Sequence, residues 1–229
     1  MRLPPPLAEV LSILPAGAGA EALELRALRP KSIPTELLDL SLLDRTERRR
    51  ADSLRREEDR LSYVAAHVLL RRLLSERLGI APQHIPLLRQ PCPVCGNSTG
   101  RPAVDLPGPP LHFSVSRSAG LVLIGTAPTA VGVDVESLPE PGTVSTVAAL
   151  LHPRERQELA VAAPAERPAL FARLWTRKEA LLKARGVGIA HGLDADYIGT
   201  QPQAVSPAGW TIFDLDLPGG FTAAATVAA

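Results

Sequence analysis

Two stretches decide how this chain is read: Gly132-Val133-Asp134-Val135-Glu136 and, further along, Trp175-Thr176-Arg177-Lys178-Glu179-Ala180-Leu181-Leu182-Lys183. The first alternates with the two-residue period of a strand, so Asp134 and Glu136 are predicted to share one face and Val133 and Val135 the other. Adjacent carboxylates repel, and burying them raises at least one pKa unless a cation neutralises them. A hard divalent ion does so and takes substrate phosphates as well, whereas the plainer alternative is an edge strand with a wet acidic face. The second stretch has helical spacing. Phe171, Leu174, Trp175, Leu181 and Leu182 form an apolar stripe, with Glu179 and Lys183 one turn apart beside it. As a plain surface pair these two would contribute only about 0.3 kcal/mol.

Composition sharpens the interest in Lys183. Of the 25 basic residues among 229, all are Arg except Lys31, Lys178 and Lys183. An ammonium can neutralise or protonate a leaving oxygen, which an always-charged guanidinium does poorly. With 45% apolar and 21% charged residues the chain has the make-up of a globular protein, and the scarcity of aromatics predicts a core of Leu, Val and Ala. A net charge of +1 gives no support to general polyanion binding, so no nucleic-acid partner is expected. No apolar run is long enough to span a bilayer. The N-terminal MRLPPPLAEVLSILPAGAGA is read as an ordered arm rather than a signal peptide, because Glu9 interrupts its apolar run. With no disulfide framework, a cytoplasmic protein is expected.

Around these stretches, a strand is expected at 22–26 and helix from Asp44 to Leu78, stopped by Gly79. The intermixed charges of RTERRRADSLRREEDR read as solvated helix faces. The Pro-rich segment 81–110 is expected to be an extended loop. HFSVSRSAGLVLIGTA and WTIFDLDLPGGFTAAATVA both read as strand, Gly turn, strand, and Phe113–Gly120 and Phe213–Gly220 have equal spacing, a hint of internal duplication. A second helical region is expected from about Pro153 to Arg185, broken near Pro164 and Pro168.

The GVDVE strand followed by WTRKEALLK resembles the paired signature of the 4′-phosphopantetheinyl transferase superfamily, of the Sfp type related to holo-acyl-carrier-protein synthases. That signature is a hydrophobic-Gly-hydrophobic-Asp-hydrophobic-Glu strand, then Trp/Phe-Ser/Thr-x-Lys-Glu-(Ala/Ser)-x-x-Lys on a helix. YVAAHVLLR (63–71), the GRP turn (100–102), FSVSRS (113–118) and HPRE (152–155) extend the resemblance across roughly residues 44 to 229. It implies an α/β (α+β) fold of two similar lobes about a pseudo-twofold axis, residues 1–125 and 126–229, with the active site between them. It implies transfer of the 4′-phosphopantetheine of coenzyme A to a serine of an apo acyl or peptidyl carrier protein, leaving 3′,5′-ADP. Asp134, Glu136 and Glu179 would ligate Mg²⁺, or alternatively Mn²⁺, and Glu179 would take the serine proton. Lys183 would act on the pyrophosphate and leaving group. Arg101, Ser116, Arg117 and Asp134 would join Lys183 in the coenzyme A site. Arg173, Arg177 and Lys178 are candidate docking charges for an acidic carrier, a solvated helix face being the equal alternative, and a monomer is expected.

Two departures touch the grip on the coenzyme A 3′-phosphate: Ser114 and Arg117 stand where the family has Asn and His, and Ser62, with Arg60 nearby, where relatives often have Arg. Arg can bind phosphate in bidentate fashion, so this binding can survive. Cys92 and Cys95 supply half of a zinc knuckle, but a second Cys pair is missing and Thr99 stands where relatives can carry His, so reduced thiols in a turn are expected. The alternatives to the enzyme are a non-catalytic coenzyme A or carrier-protein binding homologue and a zinc-containing nucleic-acid module. Retention of Asp134, Glu136, Glu179 and Lys183 together argues for the enzyme.

Overall fold

The computed structural model describes residues 11–13, 22–98, 100–189 and 192–229. Most of the N-terminal arm and Thr99 lie outside them. At its centre the GVDVE strand, β7 (Val131–Ser137), lies beneath the WTRKEALLK helix, α5 (Arg167–Arg185). Gly132 makes that crossing possible. A Cβ there would stand 1.9 Å from the Ala180 carbonyl oxygen and 2.5 Å from the Ala184 nitrogen, so only a residue without a side chain lets the helix backbone sit on the strand. The same face of β7 carries Asp134 and Glu136.

The opposite face, Val131, Val133 and Val135, packs into a core shared by two sheets. In one sheet β7 pairs antiparallel with β9 (Phe221–Ala228), which pairs with β8 (Trp210–Leu215). The other runs β1 (Leu11–Ile13), β2 (Glu24–Leu28), β6 (Leu121–Ala127), β5 (His112–Ser118). Gly125 of β6 lets the layers meet, because a Cβ there would lie 2.6 Å from Val133 Cγ1. Strand β6 is buried along its whole length. Leu121 and Leu123 face the shared core, while Val122 and Ile124 pack on the long helix α2 (Glu57–Leu78). Burial on both sides explains why LVLIGTA reads as an unbroken apolar run. Each of these sheets thus has a long helix on its outer face, and the fold is α+β.

The expected 44–78 helix is two. Asp44 caps α1 (Arg45–Asp52), its Oδ1 accepting from the Thr46 and Glu47 amides while Glu47 accepts from the Asp44 amide; α1 ends at Ser53 before α2 begins. This Asp-x-x-Glu capping box starts a helix independently of the longer apolar pattern. Segment 81–110 is not wholly loop: β3 (Leu87–Arg89) and β4 (Pro102–Val104) pair within it. The strand expected at 22–26 lies at Glu24–Leu28. In the second helical region α4 (Pro153–Val161) precedes α5, and Pro168 sits in the first turn of α5, where proline costs no hydrogen bond. A short helix α3 (Pro141–Val147) was not expected. The turns Ala119–Gly120 and Gly219–Gly220 both have positive φ at both residues, a real likeness between the two Phe-to-Gly hairpins. No helix among the described residues is long and apolar enough to cross a membrane.

Candidate functional site

Asp134 is 2% exposed, so the wet acidic edge is excluded for it. Its Oδ1 accepts from Lys183 Nζ at 2.6 Å and from Ser116 Oγ at 2.8 Å, and the same ammonium lies 3.1 Å from Ser116 Oγ. Lys183 therefore pairs across the α5–β7 crossing rather than making a surface pair with Glu179. Glu136 accepts from Ser118 Oγ at 2.6 Å. Asp134 Oδ2 and Glu179 Oε1 are buried without a hydrogen-bond partner. Burial pushes the Glu179 carboxyl up to about 7; Lys183 opposes this, and the charges of Asp134 and Glu136 add to it. Burial likewise raises Asp134, against the Lys183 ammonium, and Glu136, against the Ser118 hydrogen bond.

Unpartnered buried oxygens cost free energy and mark places where another group belongs. Two such carboxylate oxygens beside Glu136 form the hard donor set a divalent cation takes. Yet no group of three or more His, Cys, Asp or Glu side chains among the described residues is already gathered to hold a metal. Lys183 and Ser118 each occupy one carboxylate oxygen. The residues fit a cation without forming a finished cage.

Beside this centre opens a cavity of about 740 Å³, bounded by Tyr63 and His67 of α2, Phe113, Val115 and Arg117 of β5, the GRP turn, and Lys183 and Gly186 on the α5 side. Its cations are Arg50, Arg89, Arg101, Arg117 and Lys183, against the acids Asp44 and Glu47. Arg101 is fixed by donating from Nε to Gln90 Oε1 at 2.8 Å and from Nη1 to the Ala184 carbonyl at 3.0 Å, tying the turn to the end of α5. Gly100 precedes it because a Cβ there would lie 2.4 Å from the Gln90 carbonyl oxygen. Arg117 lies over the Tyr63 ring, 5.1 Å from its centroid. His67 stacks on the same ring at 3.9 Å and hydrogen-bonds the Tyr63 carbonyl through Nδ1.

Asp134, Lys183 and Ser116 are thus brought into direct contact, with Glu136 and Glu179 beside them, while Arg101 and Arg117 line the cavity. Ser116 stands with Asp134 and Lys183, its hydroxyl donating to Asp134 and accepting from Lys183 and the Val135 amide. The docking charges are a correction. Arg177 is fully buried, holding Asp214 and the Gly199, Gln201 and Pro202 carbonyls, and Lys178 is buried between Glu155 Oε2 at 2.8 Å and the Asp196 carbonyl at 2.7 Å. Half-buried Arg173 donates to the Thr200 carbonyl. These groups brace the fold and present no charged face. Ser62 remains without a described role, and Arg60 pairs with Asp52 on the surface. Cys92 is buried and Cys95 exposed, both free thiols. Amides of Cys95 and Val94 hold the Cys92 thiol below its usual range, as in a tight turn. The sequence reading missed Ser118, Tyr63 and His67; the strict Phe-Ser-Val-Ser-Arg-Ser alternation was the available signal for the first.

Fold and site together define an α+β protein in which a buried carboxylate pairs with a lysine that lines an arginine-rich cavity. The family model described as the 4′-phosphopantetheinyl transferase superfamily matches residues 130–218, which span β7, α5 and β8. The chain is 34% identical over 149 residues to the 4′-phosphopantetheinyl transferase AcpT of Salmonella typhimurium, covering 64% of this chain and 69% of that one. It is 33% identical over 195 residues to a phosphopantetheinyl transferase of Thraustochytrium sp., covering 78% of this chain and 64% of the relative. A Synechocystis sp. homologue is 32% identical over 157 residues, with 61% of its length covered. The chain belongs to the 4′-phosphopantetheinyl transferase superfamily. It spans less than two thirds of the length of the Thraustochytrium and Synechocystis relatives.

Proposed function

We propose that this protein is an Sfp-type transferase that moves the 4′-phosphopantetheine group of coenzyme A to a serine of an apo acyl or peptidyl carrier protein, acting as a cytoplasmic monomer. The observation that carries this reading is Lys183, which pairs with buried Asp134, feels the charge of Glu179 and itself lines the cavity that Arg101 and Arg117 line. Names of relatives agree with it. The two hairpins and two helix-backed sheets support a description as paired lobes with this cavity between them, the first sheet ending with β6 at Ala127, two residues past the 1–125 and 126–229 division expected from sequence.

In the proposed reaction the serine Oγ attacks the phosphorus that bears the pantetheine, the P–O bond to the adenosine-side phosphate breaks, and 3′,5′-ADP leaves. Glu179, whose carboxyl burial holds above its usual range, is the group that would accept the serine proton. Lys183, reaching both the cavity and Asp134, supplies positive charge to the leaving phosphate oxygen and a proton for it. Arg101, held rigidly by its two hydrogen bonds, and Arg117 meet the phosphates, and the apolar wall of Phe113 and Val115 takes uncharged parts of the ligand. Asp134, Glu136 and Glu179 would hold a divalent cation, Mg²⁺ or Mn²⁺, which when bound neutralises pyrophosphate charge. Positioning and charge neutralisation are most of what phosphoryl-type transfer requires.

Incubation with coenzyme A, Mg²⁺ and several apo carrier proteins, followed by mass spectrometry, should show addition of phosphopantetheine. Absence of addition on every carrier refutes the activity. Arg117→Ala should raise KM for coenzyme A much more than KM for the analogue lacking the 3′-phosphate; equal effects remove Arg117 from that contact.

A further inference from the structure

Strand β5 reads His112-Phe113-Ser114-Val115-Ser116-Arg117-Ser118, and its two-residue period puts the three serines on one face. That face meets β7 through hydroxyls rather than through a backbone ladder. Ser114 Oγ accepts from the Val133 amide at 3.1 Å, and Ser116 Oγ accepts from the Val135 amide at 3.3 Å. Ser116 Oγ donates its proton to Asp134 Oδ1 at 2.8 Å, and Ser118 Oγ donates to Glu136 Oε2 at 2.6 Å. The serines climb β7 in step, but they do different work. Ser114 touches only backbone here, while Ser116 and Ser118 each hold one oxygen of a carboxylate.

A serine hydroxyl has one proton to give. Giving it to a carboxylate fixes the plane of that carboxylate, and Asp134 keeps Oδ2 buried and unpartnered. Glu136 is tethered by its Ser118 bond, so loss of that hydroxyl loosens the terminal torsion that a bound cation must then fix; Asp134 is held by Lys183 as well as Ser116 and is loosened less. Outer partners that orient metal ligands commonly change metal affinity by about 10–100-fold.

We propose that Ser118 and Ser116 are positioning residues that hold the Glu136 and Asp134 carboxylates ready for a divalent cation, a role that rests on the cation reading of the preceding section. Neither serine touches reacting atoms. Ser118 is the better one to change, because it stands half-buried at the end of β5 and bonds no β7 amide. Ser114 provides the control, since it supplies the inter-strand bond without a carboxylate.

The probe is Mn²⁺ added to metal-depleted protein without coenzyme A, with free Mn²⁺ followed by electron paramagnetic resonance. Wild type should bind in a manner that Asp134→Asn removes. Ser118→Ala should weaken Mn²⁺ binding about tenfold, the lower edge of the range for outer-shell partners. Ser118→Thr, which restores the hydroxyl, should return affinity to within about twofold of wild type on the same scale. Ser114→Ala should lower the thermal midpoint while leaving Mn²⁺ affinity unchanged. Wild-type affinity in a folded Ser118→Ala protein, or equal weakening by Ser114→Ala, overturns the positioning role. Absence of any Asp134-dependent Mn²⁺ binding in wild type instead overturns the cation reading, and the proposal falls with it.

Discussion

Gly132→Ala adds one methyl carbon where the underside of α5 meets β7. On the observed backbone this carbon lies 1.9 Å from the Ala180 carbonyl oxygen and 2.5 Å from the Ala184 nitrogen, where ordinary contact begins at 3.4 Å. Both obstacles are helix backbone, so no rotamer change relieves them. Either α5 shifts outward by more than an ångström or the β7 backbone gives way. Overpacking a core costs about 1–3 kcal/mol, and a backbone clash belongs at or above the top of that range. The same shift carries Glu179 and Lys183 away from Asp134, where the Lys183 contact is now 2.6 Å. A misplacement of about 1 Å in such a centre costs on the order of 100-fold in rate. The assay is urea denaturation alongside the phosphopantetheine-transfer kcat/KM, with Gly188→Ala, whose Cβ would meet nothing within 4 Å, as the reference. A Gly132→Ala protein with wild-type stability and rate would refute the claim that this glycine sets the helix on the strand.

The remaining predictions concern the frame around the site. The turn joining Ser118 to Leu121 has φ of 44° at Ala119 and 76° at Gly120, the demand of a type I′ turn. Ala119→Gly should therefore raise stability by about 0.5–1 kcal/mol in urea titrations, since relief of left-handed strain exceeds the added unfolded-state entropy; a loss would contradict the turn assignment. Burial lowers His67 from 6.5 to about 4, so between those values the unfolded chain takes up the proton and the folded one does not. Stability should thus fall by about 3 kcal/mol as pH drops from 6.5 to 4, with no further contribution below that, and NMR should find His67 titrating near 4 rather than 6.5. Lys178→Met should cost about 3–5 kcal/mol by leaving Glu155 buried without its cation, and Lys178→Arg should not fully restore it, because a guanidinium brings five donors to a buried site whose acceptors are Glu155 and the Asp196 carbonyl. Full stability of either variant in chemical denaturation would refute this account of the pair.

The elements with one dominant local cause were legible in the sequence. Alternation in VGVDVES and the stripe of Phe171, Leu174, Leu181 and Leu182 gave β7 and α5, and the two Phe-to-Gly spacings gave both hairpins. The break between α1 and α2 was missed because the Asp44–Glu47 box and the continuing helical pattern point different ways locally. Likewise β3 and β4, among the described residues, form a two-stranded sheet of their own, and prolines around them hide so short a ladder. At the site, residue types announced Asp134, Glu136, Glu179 and Lys183. What a one-dimensional pattern could not carry is partnership across the fold. Arg177 and Lys178 look like surface charges until the 196–202 segment closes over them, and the partners of Ser116 emerge only once β5 is seen to face β7.

The unequal use of the two cations follows from the number and arrangement of acceptors. Arg177 and Lys178 are neighbours on α5 and both are buried, yet they meet different surroundings. Asp214 presents both oxygens to Arg177, at 2.8 Å from Nε and 2.5 Å from Nη2, and three carbonyls take the remaining directions of the planar fork. Such a ring of acceptors suits a guanidinium. Lys178 meets one carboxylate and one carbonyl, and Lys183 meets Asp134 and Ser116, two acceptors each rather than five. A compact ammonium satisfies those sites without leaving guanidinium donors unpaired in the interior. The exposed Lys31–Glu58 pair imposes no such demand, since water can complete either cation's shell. Lysine in an arginine-rich chain is therefore informative where the fold holds it: Lys178 is buried, whereas half-buried Lys183 opens onto the cavity, the position from which a cation can reach a ligand.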